Sequence, residues 1–174
     1  MYNEFINLIK TRRSCRNYTA EQVADEQLAL VMEAGTYAPT AHGAQDPLIV
    51  AVQNPQLMQR IVAMNAAVMG VSSNPYYGAP TVILVFASAD NANALQDGSC
   101  VLQNMMLAAH ALGLGTCWIN REREMFATPE GRALMADMGL PEGLMGVGAL
   151  AIGTPAAEPH PAKPRKQGYA KVLK

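Results

Sequence analysis

Residues 97–120, DGSCVLQNMMLAAHALGLGTCWIN, decide how this chain folds. From 97 to 112 the apolar residues Cys100, Val101, Leu102, Met105, Met106, Leu107, Ala108, Ala109, Ala111 and Leu112 cover nearly every direction of a helical wheel. A helix that is apolar all round is buried all round. In a chain of 174 residues that predicts a central helix shared with a partner chain. Asp97 is suited to cap its start, because a carboxylate there satisfies free backbone donors. Gly113-Leu114-Gly115 ends it, and TCWIN, 116–120, reads as a short strand.

Outward from that segment, TVILVFAS (81–88) is the strongest strand, and LIVAV (48–52) is a second buried run of β-branched residues. MGVGALAIG (145–153) is a strand spaced by glycines, a sign of close approach by backbone or ligand. Helices are predicted over 3–10, 21–34, 56–68 and 125–138. The second of these carries Val23, Leu28, Val31 and Met32 on one side and Glu21, Asp25, Glu26 and Glu33 outside. APTAHGAQDP (38–47) reads as a loop from its Pro and Gly content. Strands and helices are interspersed along one domain, which places the chain in the α+β class. After Thr154 the composition changes. Pro155, Pro159, Pro161 and Pro164 exclude helix and central strand, and Lys163, Arg165, Lys166, Lys171 and Lys174 face a single acid, Glu158.

Composition narrows the function. Half of the residues are hydrophobic and the formal charge is −1, so neither disorder nor sequence-independent nucleic-acid binding is indicated. Cys15, Cys100 and Cys117 are widely spaced without a C-x-x-C, which suggests no disulfide framework and no metal site. There is no N-terminal targeting pattern and no apolar run of the ~20 residues that would span a bilayer. A cytoplasmic protein without membrane or nucleic-acid partners is expected.

TRRSCRNY (11–18) gathers Arg12, Arg13 and Arg16 around Ser14 in a chain that is only 16% charged. Guanidinium forks match phosphate oxygens, and a hydroxyl with loop N–H groups completes an anion seat. A solvated basic helix end, favoured by the helix dipole, fits the same residues. No G-x-G-x-x-G follows a strand and no Walker A motif is present, so a bound nucleotide would be held in another way.

TRRSCRNY, followed in order by EAGTYAPTAHGAQ (33–45), LAAHALGLGTCWIN (107–120), the GLPEG turn (139–143) and IGTP (152–155), resembles the nitroreductase family. These are FMN-dependent NAD(P)H oxidoreductases, and the resemblance runs from about residue 5 to about residue 167. It implies an α+β fold with a central mixed β-sheet flanked by helices. It also implies a homodimer with FMN at the subunit interface. The expected division is an FMN-binding domain over 1–155 and a C-terminal extension over 156–174 that reaches the partner. By the same resemblance Arg12, Arg13 and Ser14 match phosphate and ribityl contacts, and Arg16 matches a basic position near the flavin pyrimidine edge. Pro39, Thr40 and Ala41 match a small loop that the other subunit packs on the flavin. Trp118, Ile119 and Asn120 match the strand that passes beside the ring, with a backbone N–H from about 119–121 at the reactive nitrogen. Lys163 and Arg165 match tail residues that return to the phosphate. Where many members have Asn, this chain has Gly43, so a polar contact to the ring is lost or moved to Gln45 or His42.

The activity so implied is hydride transfer from NADH or NADPH to FMN, then reduction of a nitroaromatic, quinone or enone by ping-pong turnover. The alternative is a flavin-binding storage or sensing protein without turnover. His42 is a candidate proton donor to the acceptor or a plain surface histidine. Cys15 is a thiol activated by neighbouring cations or a buried inert one. Trp118 stacks on a ligand or belongs to the core.

Overall fold

The computed structural model of the chain describes residues 3–174. Its order is α1 (Glu4–Thr11), α2 (Asp25–Thr36), a short 3-10 turn (Ala41–Gly43), β1 (Leu48–Val52), α3 (Pro55–Met69), β2 (Thr81–Ser88), α4 (Ala94–Ala111), β3 (Gly115–Ile119), α5 (Glu122–Ala127), α6 (Pro129–Asp137) and β4 (Leu144–Gly153). The class is α+β. The strands lie in the order β1-β2-β4-β3, each pair antiparallel. A parallel pairing enters at the β3 edge, where Ser14 forms an isolated bridge with Thr116.

β2 is buried along almost its whole length and divides its side chains between two cores. Ile83, Val85 and Ala87 face a cluster built with α2 and α4. Val82, Leu84 and Phe86 face a second one built with α3, α5 and α6. This period-two division explains why the strand reads as continuously apolar: both faces are covered. In the second core the rings of Phe86 and Phe126 meet edge to face, 4.8 Å between centroids. The β2–β4 register shifts after Val85, which pairs with Gly148 while Phe86 pairs with Gly146. Val147 is therefore the extra residue of a bulge.

Local signals account for most boundaries. Asn54 accepts from the N–H groups of Gln56 and Leu57 at 2.9 and 3.0 Å with Pro55 in the first turn, and Gly70 ends α3 in the left-handed conformation. The single helix expected over 125–138 is two helices. Thr128 is extended before Pro129, as a residue preceding proline prefers, and its hydroxyl caps α6 through Gly131 N–H at 3.0 Å. The helix expected from residue 21 starts at Asp25, although Val23 is buried as expected.

Asp97 does not cap α4. The helix begins at Ala94 and the Asp97 side chain turns inward. Burial of α4 all round is also incomplete within one chain. Val101, Leu102, Met105, Met106 and Ala109 are enclosed, whereas Leu95, Gln103 and Ala111 are exposed. Two glycines of β4 allow close packing within the chain. A Cβ at Gly146 would lie 2.5 Å from the Glu122 carbonyl oxygen, and one at Gly148 would lie 2.7 Å from Trp118 Nε1. Beyond Gly153 no helix or strand forms, and residues 156–174 are exposed throughout. Among the described residues no helix is long and apolar enough to cross a membrane.

Candidate functional site

The arginine stretch follows α1 and lies along the β3 edge. The Cys15 N–H donates to Thr116 O at 2.8 Å, and Ser14 bridges to the same residue. Position 115 carries no side chain, and a Cβ there would meet Cys15 Cβ at 2.7 Å. The three arginines then differ. Arg13 donates from Nη1 to Lys10 O and Arg12 O, both at 2.7 Å, and so closes the carbonyl end of α1. Arg16 is exposed, with its guanidinium carbon 5.7 Å from the centroid of the Tyr77 ring. Arg12 is half-buried, and its Nη1 is enclosed without an acceptor among the described residues. Burial, and then the Arg13 charge, lower its pKa from the ordinary guanidinium value. An enclosed, unpartnered guanidinium nitrogen beside a second cation is a costly arrangement unless an anion completes it.

His110, near the C-terminal end of α4, reaches the same place. Its Nε2 lies 2.9 Å from Thr11 Oγ1. Burial, then Arg12 and Arg13, lower its pKa, so the imidazole is held neutral beside the arginines. Nothing in the local pattern singles it out, because it sits in an apolar helical run. Cys15 is buried, and its thiol donates to Asn17 O at 3.1 Å. A cleft of ≈ 540 Å³ opens beside these groups, with Arg13, His110, Gly115 and Pro155 in its wall.

The loop with Pro39, Thr40, Ala41, His42, Gly43 and Gln45 is held elsewhere. Ala41 N–H donates to Asp97 Oδ1 at 3.0 Å, and Gln45 N–H donates to Thr40 Oγ1 at 3.0 Å. His42, Gly43 and Gln45 all have left-handed backbones, with φ of 56°, 64° and 52°. Glycine meets that demand at position 43 without strain, and Asn is the side-chain-bearing residue that tolerates it best, which suits the Asn frequent in the resembling family. The side chains of His42 and Gln45 face solvent within one chain.

This loop and the arginines do not meet within one chain. The loop is tied to Asp97 and the arginines neighbour His110, which are 13 residues apart along α4, or ~20 Å. They also flank β1 and β3, the opposite edges of the sheet.

At the end of β3 the Trp118 side chain packs against the α2/α4 core, half-buried, with Nε1 enclosed and without a partner among the described residues. Ile119 is buried in the other core and Asn120 is exposed. The Arg121 N–H is already committed, donating to Glu122 Oε2 at 3.0 Å. Of the amides from 119 to 121, the one at Arg121 is therefore not free for a ligand. Two further groups escaped the sequence reading. Tyr77 stands against Arg16, and Asn65, Tyr76 and Glu122 form a buried polar cluster behind the turn. Glu122 lies before the helix expected over 125–138, in a charged stretch, so nothing marked it as enclosed.

Lys163 and Arg165 lie in the exposed tail. Among the described residues, the tail is tied to the body through the bridge of Pro155 to Tyr18 and the Ala156 N–H to Asn17 O at 3.0 Å. Tyr169, Val172 and Leu173, beyond Lys163 and Arg165, are 78–86% exposed.

Comparison with known proteins gives a consistent result. The family model described as "Nitroreductase family" matches residues 9–154. A nitroreductase with bound FMN from Bacteroides fragilis is 32% identical with a TM-score of 0.90, over 99% of this chain and 100% of that one. A nitroreductase with bound FMN from Desulfitobacterium hafniense is 27% identical with a TM-score of 0.88, over 99% and 100%. The FMN reductase (NAD(P)H) of Bacillus subtilis is 28% identical over 88% of this chain and 67% of its own length.

Proposed function

The chain belongs to the nitroreductase family, and on that premise we propose that it is an FMN-dependent NAD(P)H oxidoreductase that reduces a small acceptor. The observation that carries the reading is the enclosed Arg12 Nη1 without an acceptor, on the β3 edge beside Arg13 and neutral His110. A phosphate fits that donor set, since it supplies the oxygens that the guanidinium lacks.

Arg12, with Ser14 beside it, would hold the phosphate, and Arg13 adds charge while fastening the end of α1. Arg16 supplies an exposed cation at the rim, against Tyr77. The exposed Asn120 turn offers its backbone to the ring. Bound FMN would supply the two-electron chemistry that links NADH or NADPH to a nitroaromatic, quinone or enone acceptor. The protein's share is binding, orientation and exclusion of water. Donor and acceptor use one face in turn, which is ping-pong behaviour. His42, exposed on its loop, is the candidate proton donor to the acceptor.

The site is completed by a second copy of the chain. The ~20 Å between the Asp97-bound loop and the arginine seat supports this, since one subunit's Pro39–Ala41 loop serves its partner's flavin more readily than its own. The exposed Tyr169, Val172 and Leu173 support a tail, residues 156–174, that docks on the partner and delivers Lys163 and Arg165 to the phosphate.

The test is the pigment and the turnover of the purified protein. Yellow protein that releases FMN on denaturation, with parallel double-reciprocal lines for NAD(P)H and quinone, is the expected result. Colourless protein that cannot be loaded with FMN would overturn the reading. Bound FMN without NAD(P)H oxidation in the presence of acceptors would leave a storage or sensing protein.

A further inference from the structure

Glu122 takes part in none of the roles above, yet it is fully enclosed at the start of α5. Its Oε1 accepts from the Tyr76 hydroxyl at 2.8 Å and, more loosely, from Asn65 Nδ2 at 3.4 Å. Its Oε2 accepts from the Arg121 N–H at 3.0 Å. Asn65 Nδ2 also donates to the Tyr76 hydroxyl oxygen at 2.9 Å, and Asn65 Oδ1 accepts from Arg121 Nε at 2.7 Å. Side chains from α3, from the segment between α3 and β2, and from the β3–α5 turn thus close around one carboxylate. The Arg121 guanidinium is joined to that carboxylate by hydrogen bonds through the Asn65 amide, and its charge also favours the ionised group.

All of its partners are donors. A carboxylate accepts from every one of them, whereas a carboxylic acid must donate from one oxygen, and the acceptor within reach, the Tyr76 hydroxyl oxygen, already accepts from Asn65 Nδ2 and would have to give up its own bond to Glu122. The arrangement is therefore that of the ionised group. Burial acts in the opposite sense and pushes Glu122 up to about 7, against the hydrogen bonds from Tyr76 and the backbone. The titratable groups that face it are Tyr76, kept neutral by burial and then by Glu122 itself, and Arg121. α3 offers the amide of Asn65, β4 the backbone at Gly146, and α6 meets α5 at Gly131.

The cluster reaches the candidate site at two points. The Arg121 N–H closes the turn that exposes Asn120. Tyr76 is followed by Tyr77, which has a left-handed backbone (φ 58°) and presents its ring to Arg16. A left-handed tyrosine costs energy and persists only where its surroundings hold it. Here Asn74 accepts from Tyr76 N–H at 2.8 Å and from Tyr77 N–H at 3.1 Å, and the Tyr76 hydroxyl is fastened to Glu122.

We propose that Glu122 is a positioning residue that, as the carboxylate, holds the Asn120–Arg121 turn and the Tyr76–Tyr77 turn as two walls of the flavin site, and that its protonation releases them and weakens flavin binding. The proposal rests on the reading that FMN occupies the β3 edge. The test pairs two measurements on the full chain between about pH 6 and 8.5. In FMN-free protein, the Arg121 amide resonance should titrate near neutrality in the wild type and not in Glu122→Gln. In FMN titrations, Glu122→Gln should bind several-fold to about tenfold more weakly than wild type at the alkaline end and equally at the acid end. The ratio cancels the ionisation of the FMN phosphate. Tyr76→Phe should keep the Arg121 titration while losing several-fold in FMN affinity at alkaline pH. An Arg121 amide that does not titrate, or FMN binding with a ratio independent of pH, overturns this proposal alone. Wild type that binds no FMN at any pH overturns the flavin reading and the proposal with it.

Discussion

Asp97, inside the first turn of α4, accepts the backbone N–H of Ala41 at 3.0 Å and thereby fastens the 38–47 loop to the central helix. Its second oxygen accepts from Asn91 Nδ2 at 3.2 Å, and Asn91 in turn donates to Asp46 at 2.9 Å. Asp97 is 5% exposed, so removing its carboxylate strands donors that water reaches poorly. Asp97→Ala is expected to cost about 1–3 kcal/mol in urea denaturation and to raise amide exchange at Ala41. Unchanged stability with unchanged exchange would mean that the loop holds itself.

Arg12→Ala removes the guanidinium whose Nη1 has no partner. Charge-assisted hydrogen bonds of this kind are worth about 1.5–3 kcal/mol, so FMN affinity should fall by roughly ten- to more than a hundredfold. The folded chain should lose little, because burial and Arg13 already disfavour the charge without an anion. Fluorescence titration with FMN measures the first effect and thermal unfolding of the FMN-free protein the second. Full affinity in the variant would move the phosphate site away from β3.

Deleting residues 156–174 removes an exposed segment with no regular structure. In a tail that only waves in solvent, the deletion changes nothing. In a tail that docks on a partner, it weakens the dimer through lost interface area and weakens FMN binding through loss of Lys163 and Arg165. Sedimentation and flavin content of the truncated protein decide between these, and both are expected to fall together.

Glu122 also sets a pH dependence of stability. Its pKa in the folded chain, about 7, lies above the ordinary 4.5. Its contribution is therefore fully present below about pH 4.5 and is lost as pH rises through about 7. Relative to wild type, Glu122→Gln should gain ~2–3 kcal/mol between about pH 5 and 8. Denaturation curves at the two pH values measure it. A constant difference would mean that Glu122 ionises in the folded chain as it does unfolded. An acid kept at such a cost in the core is consistent with selection for the site rather than for stability.

What the sequence determined by itself was the class, the strands and the arginine stretch. β1 and β2 were legible to the residue, since β-branched runs bounded by polar turns have few other uses. The family motifs were legible because their order and spacing survive without any knowledge of contacts. The tertiary structure decided how superficially equal residues divide their work. Arg12, Arg13 and Arg16 are adjacent and alike in charge, but one caps α1, one lies under Tyr77, and one is enclosed without a partner. That division depends on which neighbours from α4 and from the segment after α3 arrive beside each, and a local pattern cannot state it. The same holds for Asp97 and Glu122. Asp97 reads as a helix cap and Glu122 as part of a charged stretch before a helix, and each is buried because distant donors, Ala41 in one case and Asn65 and Tyr76 in the other, come close enough to satisfy it. Hydrophobic periodicity reports how a residue meets its own helix or strand, whereas burial of a charge is set by donors far away in sequence, and only the folded chain brings them together.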